Sequence, residues 1–219
     1  MPGDTAWDCG AYVGYYTAIF RNLVGTSGQV VSVEASSINY RNLAGVALEN
    51  KWENVDFLNL AIGPENSTID FAGSELGSAG PIGLIEGSRS AIKAGIEQVR
   101  CYGVDELISE KNVSIPNFIK FDLETGEIFA LSNGADLFGT YRPIILLELH
   151  GTEALAAALA FSKNFDYRIA DVYSLPLYKR DRRYDDNSFW LSEYSRLAEM
   201  FIASPPNEAP HMTLLIPNK

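Results

Sequence analysis

The sequence has few cysteines and no pattern that would use them as cross-links. Among its 219 residues there are only Cys9 and Cys101, and their spacing fits neither a CxxC motif nor a set of zinc ligands. We therefore predict two buried free thiols, without a disulfide framework or a structural zinc site. A soluble domain of this length buries roughly 70% of the surface that its unfolded chain exposes, so it needs no cross-link to fold.

Long apolar runs and an excess of basic residues are also missing. No stretch approaches the roughly 18 consecutive apolar residues of a membrane span, and residues 1–4 lack the basic and apolar regions of a signal peptide. We therefore expect a cytoplasmic protein without a membrane span. The 17 basic and 28 acidic side chains give a net charge of −11. This balance argues against a nucleic-acid substrate, because phosphate backbones require clustered lysine and arginine.

What the sequence does contain is an alternation of short β-branched runs and longer helical patterns. This alternation is typical of βα units that build a mostly parallel sheet, so we predict an α/β fold in a single domain over residues 1–219. The predicted strands are 5–8, 29–34, 55–60, 98–101, 118–121, 143–149, 167–170 and 212–216, with a hairpin-like return at 68–72. The predicted helices are 15–23, 38–49, 104–109, 153–161 and one that ends near residue 132.

Two segments depart from this alternation. Residues 73–90 contain repeated glycines with interspersed serines, so a fixed backbone there costs conformational entropy. Such a segment is either a surface connection or a lid over an active site. Residues 172–210 show no regular period, and we expect an irregular segment there.

The most informative motif lies between the first predicted strand and the first predicted helix, and it reads Asp8-Cys9-Gly10-Ala11-Tyr12-Val13-Gly14. In an open parallel sheet, ligands bind at the carboxyl ends of the strands, where glycines let a ligand approach the backbone and a helix N-terminus supplies free N–H groups. The spacing Asp-x-Gly-x-x-x-Gly differs from the Gly-x-Gly-x-x-Gly of pyrophosphate-binding turns. Asp8 at the mouth of the strand would repel a phosphate and attract a cationic ligand.

A second carboxylate, Glu34, ends the second predicted strand. There it can accept hydrogen bonds from both hydroxyls of a ribose, although a lone carboxylate at this place is more often a solvated strand end. Together with the glycine turn, Glu34 favours an adenosine compound that carries a positive charge and no phosphate. S-adenosylmethionine fits this description, and Thr17 near the start of the first helix is a candidate to bind its carboxylate.

Several stretches occur in an order and spacing that is more specific than any one of them: residues 2–4, 8–17, 33–36, 59–63, 119–124 and 142–150. Through them the sequence, from residue 2 to about 151, resembles the FkbM-type family of S-adenosylmethionine-dependent methyltransferases, a branch of the class I fold. The resemblance implies a Rossmann-like domain with helices on both faces of a seven-stranded sheet whose last strand is antiparallel. It also implies cofactor contacts from the turn between Gly10 and Gly14, a ribose contact from Glu34 and an adenine contact near Ala61. The candidate cofactor-binding residues are Asp8, Gly10, Ala11, Tyr12, Gly14, Thr17, Glu34, Ala35, Ser36, Ala61, Ile62 and Asp122.

Four ionisable residues follow the strands at 118–121 and 143–149, which the resemblance places side by side; they are Asp122, Glu124, Glu148 and His150. His150 is the candidate base because imidazole titrates near neutral pH, although a strand-end histidine can also simply bond a backbone carbonyl. Asp122 would lie beside the methyl donor or the acceptor hydroxyl. Glu124 and Glu148 fit either catalysis or the stabilisation of a helix N-terminus. Asp122 and Glu148 suit a magnesium ion, but the sequence offers no third ligand, and we predict no metal.

The sequence therefore predicts an S-adenosylmethionine-dependent O-methyltransferase that methylates a hydroxyl of a small molecule or glycan by direct in-line transfer. An NAD-dependent oxidoreductase is the first alternative, but the dinucleotide spacing of the glycines and a Tyr-x-x-x-Lys pair are both missing. A cofactor-binding module without turnover is the second alternative. It is suggested by Gly126, which stands one place later than in the Asp-x-Glu-Gly that the family favours.

Overall fold

The computed structural model describes residues 1–72, 80–81, 96–172, 195–196 and 212–218. Most of the glycine-rich segment 73–90 and of the irregular segment 172–210 lies outside these residues, so the lid stays a prediction. The strands are β1 (Thr5–Cys9), β2 (Gln29–Val33), β3 (Val55–Leu58), β4 (Ala61–Ile62), β5 (Ser67–Ala72), β6 (Gly80–Pro81), β7 (Ile96–Tyr102), β8 (Phe118–Phe121), β9 (Ile144–Glu148), β10 (Tyr167–Asp171) and β11 (Met212–Pro217). The helices are α1 (Tyr15–Val24), α2 (Ser37–Glu49), α3 (Val104–Lys111), α4 (Glu127–Ser132) and α5 (Thr152–Asn164), with a π-helical turn at Leu137–Tyr141.

The main sheet has seven strands in the order β10-β11-β9-β8-β1-β2-β3. The five neighbouring strands β3, β2, β1, β8 and β9 are parallel. Strand β11 runs antiparallel to both β9 and β10. This confirms the predicted mostly parallel sheet with an antiparallel last strand. Strands β2 and β3 lie on one side of β1, and β8 and β9 lie on the other. The carboxyl ends of β1 and β8 therefore border the crevice where sheets of this kind bind ligands.

Both faces of the main sheet are covered, because successive residues of a strand point to opposite faces. Ala6 of β1 packs in a buried cluster with Phe20 and Val24 of α1. Trp7, the next residue of the same strand, packs in a larger cluster with residues of α3, α4 and α5. The predicted arrangement of helices on both faces is thus confirmed.

A second, smaller sheet has the order β4-β7-β5-β6 and was not predicted from the sequence. Strands β5 and β7 are antiparallel, and β4 is parallel to β7. Ile69, Phe71 and Val99 form its buried cluster together with Ala61 and Cys101. The sequence predicted strands at 68–72 and 98–101, but no short turn joins them, so no local hairpin signal indicated that they pair.

Both cysteines are buried and free, as predicted. Burial raises the pKa of the two thiols, that of Cys101 to about 11, so neither is a thiolate at neutral pH. None of the described helices has the length and apolar character that a membrane span requires.

Candidate functional site

The turn that leads from β1 into α1 needs glycine at two positions. Gly10 has a φ of +79°, and a Cβ built there would lie 1.8 Å from the carbonyl oxygen of Asp122. Gly14, the residue before α1, has a φ of +90°, and its Cβ would lie 2.5 Å from Cδ1 of Leu43. Both the backbone conformation and the available space therefore select glycine. The turn is pressed against the end of β8, which places Asp122 directly beside it.

Glu34 connects this turn to the start of α2. Its side chain is buried, and its two carboxylate oxygens accept hydrogen bonds from the backbone N–H groups of Tyr12, at 2.7 Å, and Ser36, at 2.9 Å. Burial raises the pKa of Glu34, and these hydrogen bonds oppose the rise. Oε1 also accepts a hydrogen bond from Nδ2 of Asn39 at 3.5 Å, so acceptor capacity for a ligand remains mainly on Oε2.

The remaining cofactor candidates after β2 and β3 also come together. Ser36 is the residue before α2, and its hydroxyl accepts the N–H of Asn39 at 3.4 Å. Ala35 packs against the cluster that contains Ala61. Ile62 follows Ala61 in β4 and is buried. The structure therefore arranges these candidates along neighbouring strand ends; that they bind the cofactor stays a prediction.

Asp8 and Thr17 lie beneath the turn, where both are fully buried. The Thr17 hydroxyl donates a hydrogen bond to Asp8 Oδ2 at 2.6 Å and lies 2.9 Å from Ser32 Oγ. The cation beside Asp8 is Lys120, whose Nζ lies 3.5 Å from Asp8 Oδ1. These contacts support the turn from below, so a ligand above the turn would be held by Asp8 and Thr17 indirectly.

Sequence reasoning missed Lys120, which is 2% exposed in the otherwise apolar strand β8. Its Nζ donates to the carbonyl oxygen of Gly10 at 2.9 Å and lies 3.2 Å from Asp122 Oδ2. Burial by itself lowers the pKa of Lys120, but the charges of Asp8 and Asp122 outweigh it and raise the pKa. The signal in the sequence was a lysine inside an apolar run. In the structure β1 pairs with β8 so that Asp8 lies opposite Lys120, which explains why the lysine is there.

Asp122, Glu124, Glu148 and His150 converge at the carboxyl ends of β8 and β9. His150 Nε2 lies 3.9 Å from Asp122 Oδ1 and 3.8 Å from Glu124 Oε2. Its Nδ1 bonds Oε1 of Glu127 at 2.9 Å. Glu127, which is fully buried at the start of α4, was not predicted, because a carboxylate in the first turn of a helix ordinarily only complements the helix dipole.

The charges of this cluster shift its protonation. Burial lowers the pKa of His150, but the hydrogen bond and charge of Glu127, helped by Glu124 and Asp122, raise it to about 9. The pKa of Glu148 is raised to about 6 by burial and by the charge of Asp122. His150 is therefore protonated at pH 7, whereas its predicted role as a base required an imidazole that is neutral near that pH.

The backbone between Asp122 and α4 is strained. Glu124 has a φ of 49° and Thr125 a φ of 86°, and the left-handed region is unfavourable for a β-branched residue such as threonine. Residues held in such conformations cost on the order of 1–3 kcal/mol and cluster at functional sites. This strained segment places Glu124 beside His150 and is followed directly by α4, which begins at Glu127.

The strand order, the glycine turn after β1 and the acidic residue after β2 define the class I fold of S-adenosylmethionine-dependent methyltransferases. Within that class, the chain belongs to the FkbM methyltransferase family, because the model of the FkbM methyltransferase domain matches residues 8–169. S-adenosylmethionine is accordingly its cofactor, and the dinucleotide alternative is removed.

The solved structures that are similar to this chain include the following two. Methyltransferase FkbM from Methylobacillus flagellatus KT is 17% identical, with a TM-score of 0.52 over 76% of this chain and 39% of that one. A putative rRNA-methylase from Clostridium thermocellum is 15% identical, with a TM-score of 0.52 over 99% of this chain and 87% of that one. At such identities the likeness shows the fold, and the chain spans only 39% of the FkbM protein's length. A comparison with curated proteins gave no match.

The first testable expectation concerns the buried lysine. Lys120→Met should lower the free energy of unfolding by about 3–5 kcal/mol, because it leaves the carboxylate of Asp8 buried without its counter-charge. The measurement is reversible urea unfolding followed by circular dichroism. Lys111→Met, at an exposed position, is the control and should change stability by less than about 1 kcal/mol. Equal stabilities of Lys120→Met and the wild type would contradict the ion-pair interpretation. The double variant Lys120→Met/Asp8→Asn should be more stable than Lys120→Met alone, and a double variant that is no more stable would also contradict it.

The second expectation concerns pH. The pKa of His150 is higher in the folded protein than its ordinary value of 6.5, so the folded state gains stability from protonation below that value and loses it as pH rises through about 9. The free-energy difference between the wild type and His150→Gln should therefore shrink by on the order of 1–3 kcal/mol between pH 6 and pH 10. Urea unfolding in a buffer with a chelator measures this difference. If the free-energy difference between the wild type and His150→Gln is independent of pH, the carboxylates do not raise the pKa of His150.

Proposed function

We propose that this protein transfers the methyl group of S-adenosylmethionine to a hydroxyl oxygen of a small molecule or glycan. The observation that carries the proposal is the convergence of Asp122, Glu148 and His150 beside the Gly10 turn, at the crevice between β1 and β8. A methyl donor bound over the turn would present its sulfonium carbon to these groups. The cytoplasmic location predicted from the sequence belongs to the same proposal.

Glu34 and the glycine turn would hold the cofactor. The Glu34 carboxylate would accept the hydrogen bonds of the ribose hydroxyls with its remaining lone pairs. Gly10 and Gly14 give the turn the conformation that packs it against Asp122 and Leu43, and the amino-acid end of the cofactor would lie against this turn. Lys120 fixes the backbone of the turn through the carbonyl of Gly10. Ala61 and Ile62 would border the adenine.

The reaction would be an in-line displacement. S-adenosylmethionine, held by the Gly10 turn and Glu34, would supply the methyl group on a sulfonium, and its transfer to the acceptor oxygen would give S-adenosylhomocysteine and a methyl ether. The hydroxyl proton passes to the Asp122 and Glu148 carboxyl pair. His150, protonated and held by Glu127, orients this pair and limits its negative charge. Positioning of the two reactants is the main contribution, and it can amount to about 7–11 kcal/mol in favourable cases.

A small-molecule or glycan acceptor fits this site better than RNA. The chain has a net charge of −11, and carboxylates line the site at Asp122, Glu124 and Glu148. These charges repel a phosphate backbone, whereas a neutral hydroxyl compound approaches them without penalty. The similarity to a putative rRNA-methylase concerns the fold and does not indicate the substrate.

The cofactor half of the proposal is tested by calorimetry with S-adenosylhomocysteine. Glu34→Ala should weaken binding at least tenfold, because two ribose hydroxyls lose a charged acceptor. Glu49→Ala, an exposed carboxylate at the end of α2, should bind as the wild type does. An affinity that is unchanged in Glu34→Ala would show that the ribose assignment is wrong, provided that thermal unfolding shows the variant to be folded.

The catalytic half is tested by incorporation of a labelled methyl group into a panel of sugars, hydroxylated small molecules and short RNAs. Glu148→Gln should lower kcat by about 10²–10⁴ on an accepted hydroxyl compound while S-adenosylhomocysteine affinity stays within a few-fold. Incorporation into RNA alone would overturn the acceptor class. No incorporation into any acceptor, with cofactor binding intact, would favour the binding module without turnover.

A further inference from the structure

The cluster after β8 and β9 has the composition and spacing of a metal site. Asp122, Glu148 and His150 each offer one ligand atom, and these atoms lie within 4.8 Å of one another. The 3.9 Å between His150 Nε2 and Asp122 Oδ1 is too long for a hydrogen bond. Two ligand atoms that each lie about 2.1 Å from one ion are separated by roughly 3–4 Å, so this gap suits a shared cation.

A second observation comes from Glu127, outside the three ligand candidates. Metal-bound histidines almost always donate their other ring N–H to a carboxylate or carbonyl, which fixes the tautomer. Glu127 Oε1 bonds His150 Nδ1 at 2.9 Å and also accepts the N–H of Leu123 at 2.6 Å. This arrangement leaves Nε2 turned to the carboxylates. Glu127 is fully buried, and within the described part of the chain its Oε2 has no hydrogen-bond partner.

The balance of charge around the cluster also favours a cation. The carboxylates of Asp122, Glu124, Glu127 and Glu148 face or contact His150 or one another. The other cation at hand, Lys120, lies at Asp122 Oδ2 and also serves Asp8 and the carbonyl of Gly10. The two carboxylate oxygens of Asp122 therefore have different neighbours: Oδ2 faces Lys120, and Oδ1 faces the imidazole of His150.

We propose that Asp122 Oδ1, a Glu148 oxygen and His150 Nε2 bind one divalent first-row transition-metal ion, which takes the place of the Nε2 proton and releases it on binding. Imidazole ligands favour such metals over magnesium and calcium, which prefer oxygen alone, and the two carboxylates suit manganese and zinc. The prediction of no metal rested on the lack of a third ligand, and in the structure His150 lies where it can supply one.

The ion would also have a role in the reaction, and this part rests on the proposed function. All three ligand residues are partly exposed, so the ion would keep coordination positions open toward the crevice. An acceptor hydroxyl bound there would lose its proton more readily, because a divalent ion lowers the pKa of a bound hydroxyl. The binding of the ion itself does not depend on methyl transfer.

The test is a titration of the purified protein, stripped with a chelator that is then removed, with manganese chloride alone and separately with zinc chloride alone. Calorimetry and, for manganese, the loss of the free-ion electron paramagnetic resonance signal should give one site per chain for at least one of the two metals. Asp122→Asn and His150→Gln should each weaken that site at least tenfold. Glu127→Gln should weaken it by about 10-fold to 100-fold through the orientation of the imidazole. Glu49→Gln is the matched control and should bind as the wild type does.

The outcomes separate the two proposals. Absence of a site for both metals, or affinity unaffected by both Asp122→Asn and His150→Gln in folded protein, would overturn the metal site. Anomalous diffraction from manganese-soaked crystals gives the position independently of any variant, and density away from these three residues would also overturn it. Metal binding without methyl transfer to any acceptor would leave the site intact and count against the proposed function. Methyl transfer that persists in a chelator, with no metal bound, would leave the proposed function intact and overturn the role of the ion in the reaction.

Discussion

The organisation of this site depends on one buried ammonium group. Lys120 Nζ reaches the carbonyl oxygen of Gly10, the carboxylate of Asp8 and the carboxylate of Asp122 from a single position in β8. A buried charge is costly unless it is paired and hydrogen-bonded, and all three contacts contribute to that pairing. The glycine turn and Asp122, to which the proposed function assigns the cofactor and the acceptor, are thereby fixed to the same atom. Movement of one would be transmitted to the other without any change in the strands that carry them.

The cluster beyond Lys120 follows from the same electrostatics. Carboxylates from the segment after β8, from β9 and from α4 meet around His150, and a buried glutamate, Glu127, sets the direction of the ring. Repulsion between carboxylates raises the pKa of Glu148 beside Asp122, and attraction by the carboxylates raises the pKa of His150. Positive charge stabilises the arrangement, whether it comes from a proton or from a metal ion. The strained backbone at Glu124 and Thr125 is one local cost of bringing these groups together.

Sequence reasoning succeeded where the signal was local. The periodicity predicted the strands of the main sheet, and the glycine motif predicted the turn. The strand ends predicted that Asp122, Glu148 and His150 lie close together, while their roles stay predictions. It failed where the signal lay in pairing between distant segments. Asp8 was expected to attract a cationic ligand, but alignment of β1 with β8 places Lys120 opposite it. Glu127 and the second sheet were missed for the same reason: a buried partner or a distant strand leaves no mark on neighbouring residues. The cofactor contacts predicted from the family resemblance stay predictions.

The position of β11 has a consequence for how the chain folds during synthesis. Among the described residues, strand β10 is joined to the main sheet through β11, which lies between it and β9. While a ribosome has not yet produced residues 212–217, one side of β9 remains a bare edge whose N–H and C=O groups are open to pairing with other chains. Closure of this edge needs contacts across a long stretch of sequence, which is a slow step in folding. Until β11 is made, the nascent protein is therefore open to unwanted strand pairing at the end of the sheet farthest from β3.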